Sequence, residues 1–369
     1  MADAPNIGQF AGIVLSPVND SPEEIVVRLK ALTEKQSDLD VILDPQLYNP
    51  VTQKGQLPRW AYYGSDFETA DRSLFGWWAR KIPEIAAEAV RVGATTVCSP
   101  TPIPRVMEDN YFRFVVDLAD EMIGHVRPLG LDAALSLIIP LNQLHEPRRA
   151  MEIASTVSGS KCDRVFISFL ADCVPQREPM RDQAALATAI HLIRLLSSQQ
   201  RVHVACASHD VLLWLGAGAH DVSTGKYMNL RRFSPSRWTD EQTKGRNLSY
   251  WNDEKLLTLI RDQEALRLDR EGWFNDSHFA DNPASGMILE TLRQGEGAPW
   301  LKLSWVQYMR WFANIAATVR TPDQTLEILA AAHRAWGRIN DMEFLFVDSF
   351  NDGSHVIAWL NAMREGMRR

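Results

Sequence analysis

Seven short runs of apolar and β-branched residues recur through the first two thirds of the chain, and almost every one is followed by a longer segment of helical periodicity. The runs are 10–15 (FAGIVL), 41–44 (VILD), 95–99 (TTVCS), 133–139 (AALSLII), 164–169 (RVFISF), 201–207 (RVHVACA) and 219–223 (AHDVS). Strand then helix, repeated, is the order of a parallel sheet, because parallel neighbours need a crossover long enough to bring the chain back to the same edge. The pattern predicts an α/β chain built as a (β/α)8, TIM-like barrel with an appended helical C-terminal region. An eighth strand is not obvious. The triplet 345–347 (LFV) is one candidate, with 356–367 as the helix closing the barrel.

Local punctuation agrees with this order. Ser21 before Pro22-Glu23-Glu24 makes a capping box with proline in the first turn, and Ser208 before His209-Asp210 is expected to cap another helix. The segment 74–92 is apolar on one face and stops at Gly93, with a kink or break expected at Pro83. After Phe233 the alternation ends, and 252–270, 287–293, 305–319 and 322–337 read as helices. The expected organisation is therefore the main part of the barrel over 1–233, a helical insertion or appendage over 234–337, and a closing strand and helix over 338–369.

A chain of 369 residues with 46% hydrophobic and 23% charged residues can bury a large core. Its longest apolar runs fall short of the roughly 20 residues of a membrane span, and MADAPNIGQF carries no basic-then-apolar leader pattern, so a cytoplasmic protein with no membrane partner is expected. A formal charge of -7 opposes bulk attraction to nucleic acid, leaving the segment from Lys226 to Arg246 as the one place for a local basic surface. Cys98, Cys162, Cys173 and Cys206 are scattered without metal-ligand spacing, so neither a metal nor another cofactor is expected.

Barrel chemistry sits at the C-terminal ends of strands. Asp44 stands there with Pro45 blocking further strand, a carboxylate aimed into a loop-lined pocket or, in the plainer reading, an Asx turn. Asp221 closes the seventh run and is either its carboxylate partner or a turn or salt-bridge residue. His209 reads as a helix-capping residue beside the same mouth. Lys226, Arg231, Arg232 and Arg237 form a basic loop suited to phosphate, carboxylate or solvent. No Gly-x-Ser-x-Gly elbow or phosphate loop is present.

One further set of residues bears on function. Gly225-Lys226-Tyr227-Met228-Asn229-Leu230-Arg231-Arg232-Phe233 is followed after a gap by LIRDQEAL (259–266); upstream lie Leu43-Asp44 and the run Val97-Cys98-Ser99-Pro100-Thr101-Pro102-Ile103-Pro104. In order and approximate spacing these resemble the tRNA-guanine transglycosylase family, over roughly residues 41–266. The resemblance implies base exchange at a glycosidic carbon. One carboxylate attacks C1 of the ribose and expels a purine, a 7-deazaguanine takes its place, and a second carboxylate manages protons. It implies Asp44 as the acid/base, Asp221 as the nucleophile, and Gln46, Cys98, His209, Arg231 and Arg232 as substrate-binding residues.

The family's zinc cysteines are absent between Phe233 and Leu259, Cys98 falls near the place of a base-reading carboxylate, and the family's glycine elements after the fourth and fifth strands are missing. The nucleophile register is open: an ungapped match puts Thr224 at the attacking position, and a short deletion restores Asp221. Zinc-free relatives of the family occur in bacterial defence operons, so the implied partners are a 7-deazaguanine-type base or nucleoside with tRNA, DNA or a modified protein as acceptor. A homodimer is compatible with this reading. Two other readings stand beside it: a catalytically silent barrel that binds nucleic acid or a partner protein, and an unrelated barrel hydrolase using Asp44, Asp172, His209 and Asp221. Base exchange requires the two aspartates to face one pocket, roughly 5 to 9 Å apart by analogy with paired carboxylates flanking a sugar.

Overall fold

A computed structural model describes residues 10–63, 66–68, 74–104, 108–171, 177–238, 248–274, 282–295 and 299–369. Its centre is a curled sheet of seven parallel strands in sequential order. They are β1 (Gly12–Leu15), β2 (Asp40–Leu43), β3 (Thr96–Cys98), β4 (Asp132–Pro140), β5 (Arg164–Leu170), β6 (Arg201–Ala205) and β7 (Asp221–Val222). Between them run α1 (Pro22–Thr33), α2 (Phe75–Val92), α3 (Asp109–Val126), α4 (Arg148–Val157), α5 (Gln183–Ser197) and α6 (Val211–Gly216).

Side chains alternate across such strands, one face meeting the helices and the other facing inward. The inner set at mid-height is apolar: Ile42, Cys98, Ala134, Phe166 and Ala205 pack together inside the curl. The outer faces join the helices in two larger cores, one centred on β4 to β6 with α5, the other on β2 with α2.

The caps follow local chemistry. At α1 the Glu24 N–H donates to Ser21 Oγ at 3.3 Å, and the Ser21 N–H donates back to Glu24 Oε2 at 2.9 Å. The helix α2 runs unbroken through Pro83, anchored on both sides of it by buried Trp77, Trp78, Ile82 and Ile85, and it ends at Gly93 with φ 75°. Ahead of α6 the capping position is Asp210 rather than Ser208, and its carboxylate folds back onto the Ser208 N–H at 3.0 Å.

The C-terminal region departs from an all-helical reading. Residues 251–260 form an antiparallel hairpin, β8 (Trp251–Asp253) with β9 (Thr258–Ile260). Its turn is built by Asp253 Oδ1, which accepts from the N–H groups of Lys255 and Leu256, with Leu257 at φ 53°. The chain continues as α7 (Asp262–Arg270), α8 (Pro283–Gln294), α9 (Leu301–Thr318), α10 (Pro322–Asp341) and α11 (Ser354–Arg368).

The expected closing strand does not form. Residues 345–347 have no ladder partner, and Leu345 and Val347 are 79% and 73% exposed, because Phe346 alone of the triplet turns inward. The helix α11 packs on α5 instead, close enough that a Cβ at Gly366 would lie 2.6 Å from the Ala187 carbonyl oxygen. Among the described residues no strand joins β7 back to β1, so the curl has an open seam. No helix among them is long and apolar enough to cross a membrane.

Candidate active site

A cavity of about 1360 Å³ fills the inside of the curl and reaches the seam, where β1, the 221–224 segment and the α9 residues Met309, Phe312, Ala313 and Ala316 line it. Asp44, Gln46 and Asp221 all border it, at different ends of the strands.

Asp221 is the first residue of β7, in register with His203, and lies among the strand starts. Arg201, the first residue of β6, clamps it with both prongs, Nε to Oδ2 at 2.6 Å and Nη2 to Oδ1 at 2.9 Å. Burial alone would push the Asp221 carboxyl up, but the Arg201 clamp and the surrounding positive charge together hold it below the ordinary carboxylate value. Beside it Arg164, the first residue of β5, donates to Asp40 Oδ2 at 2.8 Å and Thr96 Oγ1 at 3.2 Å. His203 meets Ser223 Oγ at 2.9 Å, and burial drops its pKa to about 4. The cluster is a charge-balanced floor.

Asp44 follows β2 at the opposite end. Its Oδ1 accepts from the Gln46 N–H at 3.1 Å and its Oδ2 from the Tyr48 hydroxyl at 2.8 Å. Burial raises its pKa to about 6 against the lowering pull of Tyr48, the Gln46 N–H and the nearby charge of Arg237. Among the described residues no cation lies within ion-pair distance of it. The turn that aims the Gln46 N–H backwards places Gln46 at φ 55°, and Cys206, at the end of β6, adopts φ 56°. Two non-glycine residues in the left-handed region, just past β2 and β6, are a mark of constrained geometry.

The other residues named from sequence divide clearly. The Gln46 amide accepts the Val18 N–H at 3.0 Å and donates to Ser16 Oγ at 3.2 Å, tying the loop after β1 to that after β2. Cys98 is fully buried in the apolar inner layer, where burial carries its thiol pKa well up, and it does not border the cavity. His209 is buried behind the mouth, bonded to Asn252 Oδ1 at 2.7 Å and packed on Trp311; burial drives its pKa to about 3. Arg231 donates to the carbonyls of Gly225 and Lys226 at 3.0 and 3.1 Å, its guanidinium 3.4 Å from the Tyr308 ring centroid, and burial brings its pKa down to about 10. Arg232 is buried near Asp210 at 3.9 Å.

The basic loop is therefore folded inward. Gly225 is required for it, since a Cβ there would meet the Leu230 side chain at 2.5 Å. Asp172 and Cys173 lie outside the described residues, and among those described no three His, Cys, Asp or Glu side chains gather as a metal site.

The residues that complete the mouth are Tyr48, Ser16, Arg237, Cys206 and Thr224, each bordering the cavity. Thr224 stands at the ungapped register position; Tyr48 was not singled out from sequence, and its place four residues after Asp44 is the signal that could have marked it. Thr224 Oγ1 sits 3.0 Å from the Tyr308 hydroxyl just past the end of β7. Nothing in the sequence marks Cys206 or the burial of Arg237. No protein-family model matches this chain, and no curated protein matches it.

Proposed function

We propose that this chain is a transglycosylase-like barrel that binds a guanine or 7-deazaguanine-type base, or its nucleoside, at the strand-end mouth. Asp44 is the group that exchanges a proton with the bound ring. The observation that carries this reading is the state of Asp44: buried, at the C-terminal end of a strand, oriented by Tyr48 and the Gln46 N–H, with its pKa near 6. A carboxyl tuned to that range serves as acid and base near neutral pH, as a carboxyl with a value near 4 does not.

The seven parallel strands fit such a (β/α)8 scaffold with its eighth position taken by the seam and α9, and a cytoplasmic setting goes with it. For the covalent half of an exchange, Asp221 is poorly suited, since both its oxygens are held by Arg201 at the far end of the strands. Thr224 borders the mouth at the ungapped position but offers a hydroxyl rather than a carboxylate. The reading therefore puts base binding and proton transfer first. Inward-folded Arg231 and Arg232 weigh against a nucleic-acid surface on that loop, and the burial of His209 weighs against its use in a hydrolase.

The test is calorimetric titration with guanine and 7-deazaguanine, paired with incorporation of either labelled base into tRNA and DNA. Wild type should bind, and Asp44→Asn should bind at least about tenfold more weakly, in line with loss of a charge-assisted hydrogen bond. Absence of binding by wild type at millimolar base overturns the proposal.

A further inference from the structure

Among the arginines around the cavity, Arg237 stands apart. Arg28, Arg164 and Arg201 each meet a carboxylate, and Arg320 is exposed and donates to backbone carbonyls. Arg237 lies on a short 3-10 turn (Pro235–Trp238), is 5% exposed, and borders the same cavity as Asp44. Its Nη2 donates to Ser16 Oγ at 3.0 Å and its Nη1 reaches the Asn229 carbonyl only at 3.5 Å. Its Nε has no hydrogen-bond partner, and no carboxylate among the described residues lies within ion-pair distance. The guanidinium rests on the Trp238 ring, 4.9 Å from its centroid, which fixes its plane without neutralising it. Burial lowers its pKa, the direction expected of a cation short of an anion.

Asp44 acts on Arg237 only through space and makes no ion pair with it, its two oxygens accepting from the Gln46 N–H and the Tyr48 hydroxyl. A buried guanidinium without an ion-paired counter-charge is costly, and a planar fork with an unused N–H matches a phosphate or carboxylate better than any neutral group. Lys226, at the same cavity, meets the Tyr227 and Trp305 rings and likewise no carboxylate among the described residues. The cavity exceeds the 300–1,000 Å³ typical of small-ligand pockets, so there is room for more than a base.

We propose that Arg237, with Ser16 beside it, binds the terminal phosphate of a nucleoside monophosphate, so that the small ligand of this site is a nucleotide. The nucleoside half rests on the base-binding reading above. The phosphate half rests on Arg237 alone. A monoester end reaches a buried fork from inside the cavity, whereas an internal phosphodiester would have to carry a polymer past it.

The experiment compares guanosine, guanosine 5′-monophosphate, inorganic phosphate and an oligonucleotide without terminal phosphate, by calorimetry and by thermal shift. Wild type should bind the monophosphate about tenfold or more tightly than guanosine, and phosphate alone should raise the melting temperature. Arg237→Gln should lose both effects, so that guanosine and its monophosphate bind it with equal affinity. Arg237→Lys, which keeps charge and volume, covers the case in which the glutamine variant does not fold, and should retain part of the preference.

Equal affinity of wild type for guanosine and its monophosphate overturns the proposal, as does a preference that survives in a folded Arg237→Gln. Arg237-dependent binding of the unphosphorylated oligonucleotide also overturns it, in favour of a polymer. If neither guanosine nor its monophosphate binds but phosphate still stabilises wild type and not Arg237→Gln, the Arg237 phosphate assignment stands and the base-binding reading falls.

Discussion

At the starts of β2, β5, β6 and β7 stand Asp40, Arg164, Arg201 and Asp221, two acids and two bases joined in two ion pairs. Past the strand ends stand Asp44 and Arg237, an acid and a base that share a cavity and do not touch. The two regions hold similar residue types inside the same sheet, but only the first completes its own electrostatics. Charge neutralised internally holds strands together and has little left for a ligand. Charge held apart is costly in the folded state, and a bound molecule is what would compensate it.

The widest separation between the two ends should come from replacing their aspartates. If Asp44 manages protons, Asp44→Asn lowers the rate of label incorporation about 10²- to 10⁴-fold, the range of a general acid or base, while Asp221→Asn changes base affinity less than about twofold. Loss of incorporation in a folded Asp221→Asn, with base binding retained, would make Asp221 the nucleophile and break the contrast.

Stability against pH should separate the ends with opposite sign. The folded Asp44 carboxyl titrates near 6 against an ordinary 3.8, so its protonated form is favoured by folding and stability falls as pH rises from about 4 to about 6. The fall amounts to roughly 3 kcal/mol as an upper bound, and is absent from Asp44→Asn. Asp221 is shifted the other way, so its pair with Arg201 is intact above pH 3.8 and is lost as the pH falls further. Denaturant melts across pH 3 to 7 of wild type and both variants read this directly.

At the paired end, Arg164→Met leaves Asp40 without its guanidinium and should cost about 2 to 3 kcal/mol, less than a fully buried pair because Asp40 keeps some solvent. The smallest effect is expected at Arg201, whose side chain is half exposed. Arg201→Met should cost about 1 kcal/mol in the same measurement.

The parallel strands were legible because β-branched runs followed by helical periods admit few other arrangements, and the capping box at Ser21 appeared as written. The hairpin at 251–260 was not, since WND and TLI are too short for periodicity to tell strand from helix. The place of Asp221 turned on two residues. Read as a strand from 219, the run puts Asp221 toward the mouth. In the fold, Gly218 at φ 99° and the turn after α6 use up 217–220, and Asp221 becomes the strand's first residue, at the floor. Burial of Arg231, Arg232 and Arg237 was illegible for a different reason: a cluster of arginines reads as solvated unless the aromatic rings and carbonyls that receive it, here Tyr308, Trp238 and Gly225, are already in place.

The open seam has a mechanical consequence. In a closed barrel the bore follows from strand number and stagger, and no side chain can alter it without breaking the ladder. Here the ring is interrupted, and the wall at the seam between β1 and β7 is a helix presenting Ala313, Ala316 and Ala317 to the cavity. The diameter of this chamber is thus an adjustable quantity, set by the bulk carried on one face of α9, and it can be retuned for ligands of different girth while every strand stays as it is.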